Sequence, residues 1–177
     1  MDPVLQTVYR ANQRGGRMLS VIDLIERDTL SLAQAAWLVD RIENGASWMV
    51  GAQPGGAGKT AVMCALLTML PDGEKVHLTN RGSGWRNAAA GDCIVAYEIS
   101  PGTYDAYIWG EAVRRFAALG HQGRRLVTNL HADTLGEARQ QLVGDNGVPE
   151  HHFNNFNIFL PISMSGGLLS RGRTIQH

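Results

Sequence analysis

The chain has 177 residues, of which 44% are hydrophobic and 18% charged, a composition that excludes an intrinsically disordered protein. Its 16 basic and 16 acidic residues cancel, so neither a nucleic acid nor a membrane surface is expected as the main partner. The N-terminus has no signal-peptide pattern, and no apolar run has the length of a membrane span. Cys64 and Cys93 lie in apolar stretches and are interpreted as reduced core residues, which favours a cytoplasmic protein.

The first part of the chain divides into a lead-in and the start of a domain. Residues 1–17 combine three arginines with a Gly-Gly pair and are expected to be a flexible lead-in. Residues 18–177 are expected to form one domain, beginning with a short helix at residues 20–28. Ser31 and Gln34 have the spacing of a capping box and predict the start of a second helix. The predicted apolar face of that helix is Leu32, Ala35, Ala36, Val39 and Ile42.

A glycine-rich loop then lies between a short apolar run at residues 48–50 and an apolar helical pattern. Strand, loop and helix in this order are the context of a phosphate-binding P-loop, or Walker A motif. The glycines let backbone N–H groups surround an anion, and the helix dipole points at the same spot. The predicted nucleotide-binding residues are Gln53, Pro54, Gly55, Gly56, Ala57, Gly58, Lys59, Thr60 and Ala61.

Within this loop, Lys59 is expected to reach the β- and γ-phosphates, and the Thr60 hydroxyl is expected to bind Mg²⁺. The full pattern has a glycine six positions before the lysine, where this chain has Gln53. The alternative is a glycine-rich turn in which Gly-Lys-Thr occurs by chance.

The rest of the chain alternates strand and helix patterns. Strands are predicted at residues 75–79, 93–97 and 126–130, and helices at residues 103–119 and 134–143. A final strand around residues 156–160 is expected to pair with residues 168–175 as a hairpin. The alternation predicts an α/β fold with a mainly parallel sheet, helices on its faces and a C-terminal β-hairpin.

Two residues at predicted strand ends are candidates for catalysis. Glu98 follows the strand at residues 93–97, where ligands of parallel sheets bind. It is expected to hold the Mg²⁺ shell or to polarise a water; the alternative is a solvated acid. His131 follows the next strand; its spacing alone favours a cap or a satisfied histidine at a strand-to-helix turn, and the alternative is a residue that senses the γ-phosphate.

Other charged and metal-binding residue types give weaker signals. His151, His152 and His177 have no companions at metal-ligand spacing, so no zinc site is predicted. The arginine pairs at residues 124–125 and at 171 and 173 are expected to be solvated. The alternative for one of them is an arginine finger across a subunit interface.

Several stretches resemble, in order, the motifs of one known family. They are residues 19–25, 29–31 and 42–47 before the loop, Asp92 to Ile99 as a Walker B segment, and residues 120–121 with 128–133 as a His box, continued at residues 137–142. The family is that of the secretion ATPases of type II and type IV systems, in particular the archaeal and Tad-type pilus motors. The resemblance extends over residues 18–175.

This resemblance implies a RecA-like core that binds ATP or ADP with Mg²⁺. The family forms ring-shaped hexamers with the nucleotide between subunits and drives pilus or pseudopilus assembly. It implies that Lys59 and Thr60 bind phosphate and Mg²⁺, that Glu98 is the Walker B acid and that His131 is the His-box residue. The implied partners are nucleotide, other copies of the chain and a secretion or pilus platform protein at the inner membrane.

The sequence also departs from the family. The family has an acidic Asp box after the strand that follows the P-loop helix, where this chain has Thr79 and Asn80. Where the family's Walker B segment has a glycine, this chain has Tyr97. The chain is expected to be a motor core without the family's amino-terminal domain. We therefore expect a nucleotide-binding protein with weak or conditional hydrolysis. The alternatives are a non-hydrolysing regulatory or structural subunit and an unrelated P-loop kinase with residues 80–91 as its lid.

Overall fold

The protein is described from a computed structural model in residues 6, 8–10, 18–79, 84–104, 107–165 and 172–175. The strands are β1 (Ser47–Gly51), β2 (Val76–Leu78), β3 (Cys93–Ile99), β4 (Tyr107–Ile108), β5 (Arg125–Leu130), β6 (Phe156–Ser165) and β7 (Gly172–Ile175). The helices are α1 (Val21–Glu26), α2 (Leu32–Glu43), α3 (Lys59–Leu67), α4 (Glu111–Ala118), α5 (Leu135–Arg139) and α6 (Glu150–Phe153). A 3₁₀ turn (Leu119–Gln122) follows α4, and a π-helix (Gln140–Asp145) follows α5.

These strands form one sheet in the order β2-β3-β5-β1-β6-β7, and β4 pairs with the end of β3. All described pairs are parallel except β6 with β7, which is antiparallel. The predicted mainly parallel α/β fold with a C-terminal hairpin is therefore confirmed. The loop of that hairpin, residues 166–171, lies outside the described residues.

The central strands β1, β3 and β5 are buried along their whole length because apolar clusters cover both faces of the sheet. In β1, Trp48 and Val50 pack into one cluster with α1, α2 and α3, whereas Met49 packs into the other with α4. This alternation is the period of two that a strand imposes on its side chains. Burial on both faces explains the continuous apolar runs in the sequence.

The predicted helix at residues 103–119 is wrong in its first part. Tyr107 and Ile108 form the short strand β4, which pairs with Glu98 and Ile99 of β3. α4 begins only after Gly110, which adopts φ 60°. The pairing with β3 is a tertiary contact that local helix propensity does not reveal.

α2 begins at the predicted capping box, in which Ser31 Oγ accepts from the N–H of Gln34 at 3.2 Å. The predicted apolar face of this helix is partly wrong, because Leu32 is 72% exposed and Val39 is 37% exposed. The buried residues are Ala35, Leu38 and Ile42. Both stripes have helical spacing, so packing against the sheet selects one of them.

Arg125 is not solvated as predicted. Only 6% of this residue is exposed, and its guanidinium donates to both carboxylate oxygens of Glu74 at 2.6 and 2.9 Å. It also donates to the carbonyl oxygens of Ile42 and Ala46. Arg125 therefore joins the amino end of β5 to α2 and cannot serve as an arginine finger.

The cysteines lie in the core, as predicted. Both Cys64 and Cys93 are free and buried. Burial raises the pKa of the Cys64 thiol to about 12, and burial also raises that of Cys93, so neither is a thiolate at neutral pH.

Part of the predicted lead-in also contributes to the core. Val8 is fully buried, and its carbonyl oxygen accepts from Cys64 Sγ at 3.8 Å. Residues 1–5, 7 and 11–17 lie outside the described residues, so the flexibility of this segment stays a prediction. Within the described part of the chain, no helix has the length and apolar character needed to cross a membrane.

Candidate functional site

The carboxyl ends of β1, β3 and β5 meet at a cavity of about 560 Å³. β5 lies between the other two strands, so the residues that follow β1 and β5 and the end of β3 come together at one edge of the sheet. Lys59, Thr60, Glu98 and His131 all line this cavity. These four residues, predicted from three separate stretches of the sequence, are thus neighbours in space.

The glycine loop bends between β1 and α3 through two residues in the left-handed region. Gly56 has φ 80°, and Gly58, the N-cap of α3, has φ 99°. L-residues with a Cβ rarely adopt such angles, so glycine is required at both positions. Residues 55–61 line the cavity, and the first N–H groups of α3 belong to this segment.

Gln53 and Pro54 are not among the residues that line this cavity. The N–H of Gln53 donates to Asp133 Oδ1 at 2.8 Å, which ties the start of the loop to the segment after β5. Gln53 lines a smaller neighbouring cavity that it shares with His131.

Lys59 is buried, with 6% of the residue exposed, and it is held by the chain on either side. Its Nζ donates to the carbonyl oxygen of Ala52 at 3.1 Å and lies 3.4 Å from Nδ1 of His131. That nitrogen is also 3.1 Å from the carbonyl oxygen of Gln53. The ammonium group is thus positioned against the wall of the cavity by backbone and imidazole together.

The sequence predicts that Glu98 follows the strand, but it is the second-last residue of β3. Only 8% of this residue is exposed. Its Oε1 forms an ion pair with Nε2 of His131. Among the described residues, the acidic and basic side chains that line the cavity are those of Arg27, Lys59, Glu98 and His131. With two permanent cations against one carboxylate, the cavity favours an anionic ligand.

Tyr97 closes the side of the cavity next to α3. The Thr60 hydroxyl donates to the phenolic oxygen of Tyr97 at 3.3 Å, so the predicted metal ligand already has a protein partner. The ring of Tyr97 lies 6.4 Å from that of Tyr107 and 6.3 Å from that of Tyr104. Its backbone carbonyl accepts from Asn129 Nδ2 at 2.9 Å, which fixes the end of β3 against β5.

Sequence reasoning missed three residues that line the cavity, namely Leu19, Arg27 and Tyr107. Leu19 and Arg27 flank α1, which lies in the stretch before the loop that resembles the secretion ATPases. That resemblance was the available signal, but nothing in the local pattern indicates that this segment reaches the loop. Tyr107 lies in the helix predicted at residues 103–119, so a contact with this cavity is not expected from the sequence.

Among the described residues, Glu98 is the only acid that lines the cavity. Thr79 follows β2, is only 4% exposed and does not line the cavity. Asn80 lies outside the described residues.

No family profile matches the sequence, and no curated protein matches it. Among solved structures, the chain is similar to the VirB11 ATPase from the Brucella suis type IV secretion system, whose structure is a complex with sulphate. The TM-score is 0.50 and the identity 16%, and the match covers 97% of this chain and 59% of that chain. The chain has a secretion-ATPase-like fold. At this identity the similarity shows the fold alone, and the chain spans 59% of the neighbour's length.

A second cluster lies at the opposite end of the sheet, before β5 and β6. His121 in the 3₁₀ turn lies beside His151 and His152 of α6, and their ligand atoms are all within 4.8 Å of one another. The prediction that His151 and His152 lack a companion is therefore wrong. His121 is about 30 residues before His151 in the sequence, and only the fold brings the two segments together, so the local spacing does not predict the cluster.

Proposed function

We propose that the chain binds ATP or ADP with Mg²⁺ in the 560 Å³ cavity and is a secretion-ATPase-like protein with weak or conditional hydrolysis. The observation that carries the proposal is the meeting of Lys59, Thr60, Glu98 and His131 around the amino end of α3. A glycine loop, a buried lysine and a helix N-terminus are the parts that hold nucleotide phosphates.

In this proposal each predicted site residue of the cavity has a separate role in binding the phosphates or Mg²⁺. Residues 55–61 surround the phosphates with backbone N–H groups, and Lys59 neutralises their charge. Thr60 binds Mg²⁺ directly, and Glu98 holds the metal through water or polarises the attacking water. His131, paired with Glu98, senses whether the γ-phosphate is present.

Hydrolysis is proposed to be weak because Glu98 is the only carboxylate that lines the cavity among the described residues, whereas the family has a second acid in its Asp box. Loss of a general base typically costs about 10²–10⁴ in rate. An asparagine cannot accept a proton as a carboxylate does, so Asn80 does not replace the Asp box.

Nucleotide binding is tested by thermal unfolding with and without Mg-ADP or Mg-ATP. A ligand at 100 times its dissociation constant adds about 2.7 kcal/mol to the free energy of unfolding. Lys59→Ala is expected to lose this gain. Lys75→Ala is the matched control because Lys75 is exposed and is the only other lysine in the chain. Equal stabilisation of wild type and Lys59→Ala would refute phosphate binding at the loop.

Turnover is tested by steady-state ATP hydrolysis. We expect wild-type turnover below about one per second, the lower end of ordinary enzyme rates. Glu98→Gln should abolish it, and Asn80→Asp, which restores the acid of the family's motif, should raise it. Thr79 is a poor place to restore an acid, because a carboxylate there would be buried. Fast wild-type turnover that survives Glu98→Gln would contradict the assigned role.

The second candidate is a nucleotide-binding regulatory or structural subunit without turnover. The hydrogen bond between the Thr60 hydroxyl and Tyr97 favours it, because that hydroxyl must be released before it can bind Mg²⁺. No hydrolysis by either wild type or Asn80→Asp, together with normal nucleotide binding, would select this candidate.

The partners and the location are proposed from the same likeness. We propose that the chain acts in the cytoplasm with other copies of itself and with a pilus or secretion platform protein at the membrane. Co-purification with such a platform from native membranes is the test, and its loss on Lys59→Ala would connect the interaction to nucleotide.

A further inference from the structure

Three histidines lie together far from the nucleotide cavity. We call His121, His151 and His152 the histidine cluster. The ring centroids are 5.2 Å apart for His121 and His151, 5.0 Å for His121 and His152, and 4.3 Å for His151 and His152. Each residue offers one ligand nitrogen, and the three nitrogens lie within 4.8 Å of one another.

The 3₁₀ turn and α6, which carry the histidine cluster, are held together by close contacts. An added Cβ at Gly120 would lie 2.7 Å from the Asn155 side chain, so glycine allows the close approach. Asn155 Nδ2 donates to the carbonyl oxygen of Ala117 at 3.2 Å, and its N–H donates to that of His152. The positions of His121 and His152 are therefore set by the contacts of Asn155 with the segments beside them.

The histidine cluster includes one buried nitrogen atom. Nδ1 of His152 is buried and makes no hydrogen bond within the described residues. A buried nitrogen without a partner is unfavourable, and a metal ion bound to it would satisfy it.

We propose that the histidine cluster binds one divalent transition-metal ion, preferentially Zn²⁺, through three imidazole nitrogens. Imidazole is a ligand for zinc, copper and nickel, whereas Mg²⁺ and Ca²⁺ prefer oxygen. Zn–N distances of about 2.0–2.1 Å place the nitrogens of a tetrahedral site about 3.4 Å apart. His121 and His151 are exposed, so rotation of their side chains can bring the nitrogens to that separation.

The bound ion would connect the 3₁₀ turn before β5 with α6 before β6. Its fourth coordination position faces solvent, because two of the three ligands are exposed. Water or a donor from a partner would complete the tetrahedron. Since β5 and β6 both pair with β1, the ion would reinforce the amino end of the central sheet and leave the nucleotide cavity unchanged.

The test uses the untagged full chain, stripped with a chelator and free of nucleotide. Zn²⁺ binding is measured by calorimetry, and Co²⁺ is added as a spectroscopic probe whose visible absorption reports tetrahedral coordination. The variants are His121→Gln and His151→Gln, both at exposed positions where folding is not at risk. His177→Gln is the control, because it removes one histidine and leaves all three cluster histidines in place.

We expect one ion per chain in wild type and in His177→Gln, with a higher melting temperature when Zn²⁺ is present. Each cluster variant should lose at least about tenfold in affinity, the lower limit for loss of even an outer partner of a metal ligand. Absence of binding to wild type would overturn the proposal. So would unchanged binding in both cluster variants, which would place the ion elsewhere. Lys59→Ala, which tests the nucleotide site, should bind Zn²⁺ normally.

Discussion

Replacing Tyr97 by phenylalanine should strengthen the effect of Mg²⁺ on nucleotide binding. The substitution removes the phenolic oxygen that accepts from the Thr60 hydroxyl at 3.3 Å. It keeps the ring and therefore its packing against Tyr104 and Tyr107. Because the Thr60 hydroxyl no longer donates to Tyr97, it can bind Mg²⁺ without first breaking that hydrogen bond.

The size of the effect follows from that hydrogen bond. A typical intramolecular hydrogen bond contributes about 0.5–1.5 kcal/mol net, and an oxygen–oxygen distance of 3.3 Å is longer than the usual 2.7–2.8 Å. We therefore place this bond at about 0.5–1 kcal/mol, the lower part of that range. This corresponds to about a two- to fivefold increase in affinity.

The assay is calorimetric titration with ADP in Mg²⁺ and in a chelator, and the quantity compared is the ratio of the two affinities. This ratio should rise about two- to fivefold in Tyr97→Phe. Tyr104→Phe is the matched control, because it removes a hydroxyl from the same aromatic cluster at a residue that is 49% exposed. Thr60→Ala should abolish the Mg²⁺ effect, and adding Tyr97→Phe to it should change nothing further.

Two results would refute this reasoning. An unchanged ratio in Tyr97→Phe would show that the hydroxyl contact does not compete with the metal. An equal increase in the Thr60→Ala background would show that the effect of Tyr97 does not pass through Thr60.

Three further predictions concern stability and assembly. Arg125→Met should lower the free energy of unfolding by about 3–5 kcal/mol, because it leaves the buried Glu74 carboxylate without its partner. Urea denaturation measures this loss of stability, and a loss below about 1 kcal/mol would contradict the prediction. Burial opposes ionisation of Asp92, but hydrogen bonds from the N–H of Ala89 and from His77 outweigh it and lower its pKa below the ordinary 3.8. The stability advantage of wild type over Asp92→Asn should therefore be complete above about pH 3.8 and shrink as the pH falls through the lower folded-state value, whereas a constant difference in urea midpoint would contradict it. In sedimentation the isolated chain should be a monomer or a weak oligomer, and a stable hexamer at micromolar concentration would show otherwise.

The amino-acid sequence is sufficient to predict the central sheet and the loop at its edge. Continuous apolar runs in β1 and β3 predict strands that are buried on both faces, and the alternation with helices predicts that they are parallel. The residues that follow parallel strands must meet at one edge of the sheet. The sequence therefore predicts that Glu98 and His131 lie near Lys59.

Packing between distant elements selects among conformations that are locally equivalent. In α2, Leu32 and Leu38 both have helical spacing to Ile42, but packing buries Leu38 and leaves Leu32 exposed. Tyr107 forms a strand because β3 offers an unpaired edge at Glu98.

The remaining features depend on contacts between segments that are distant in sequence. The bond from Thr60 to Tyr97 joins residues 37 apart, and the pairing of Arg125 with Glu74 joins residues 51 apart. His121 likewise meets His151 only because the turns before β5 and β6 pack together. Such contacts leave no local periodicity in the sequence, since their geometry is set by the packing of whole elements and not by the propensity of neighbouring residues.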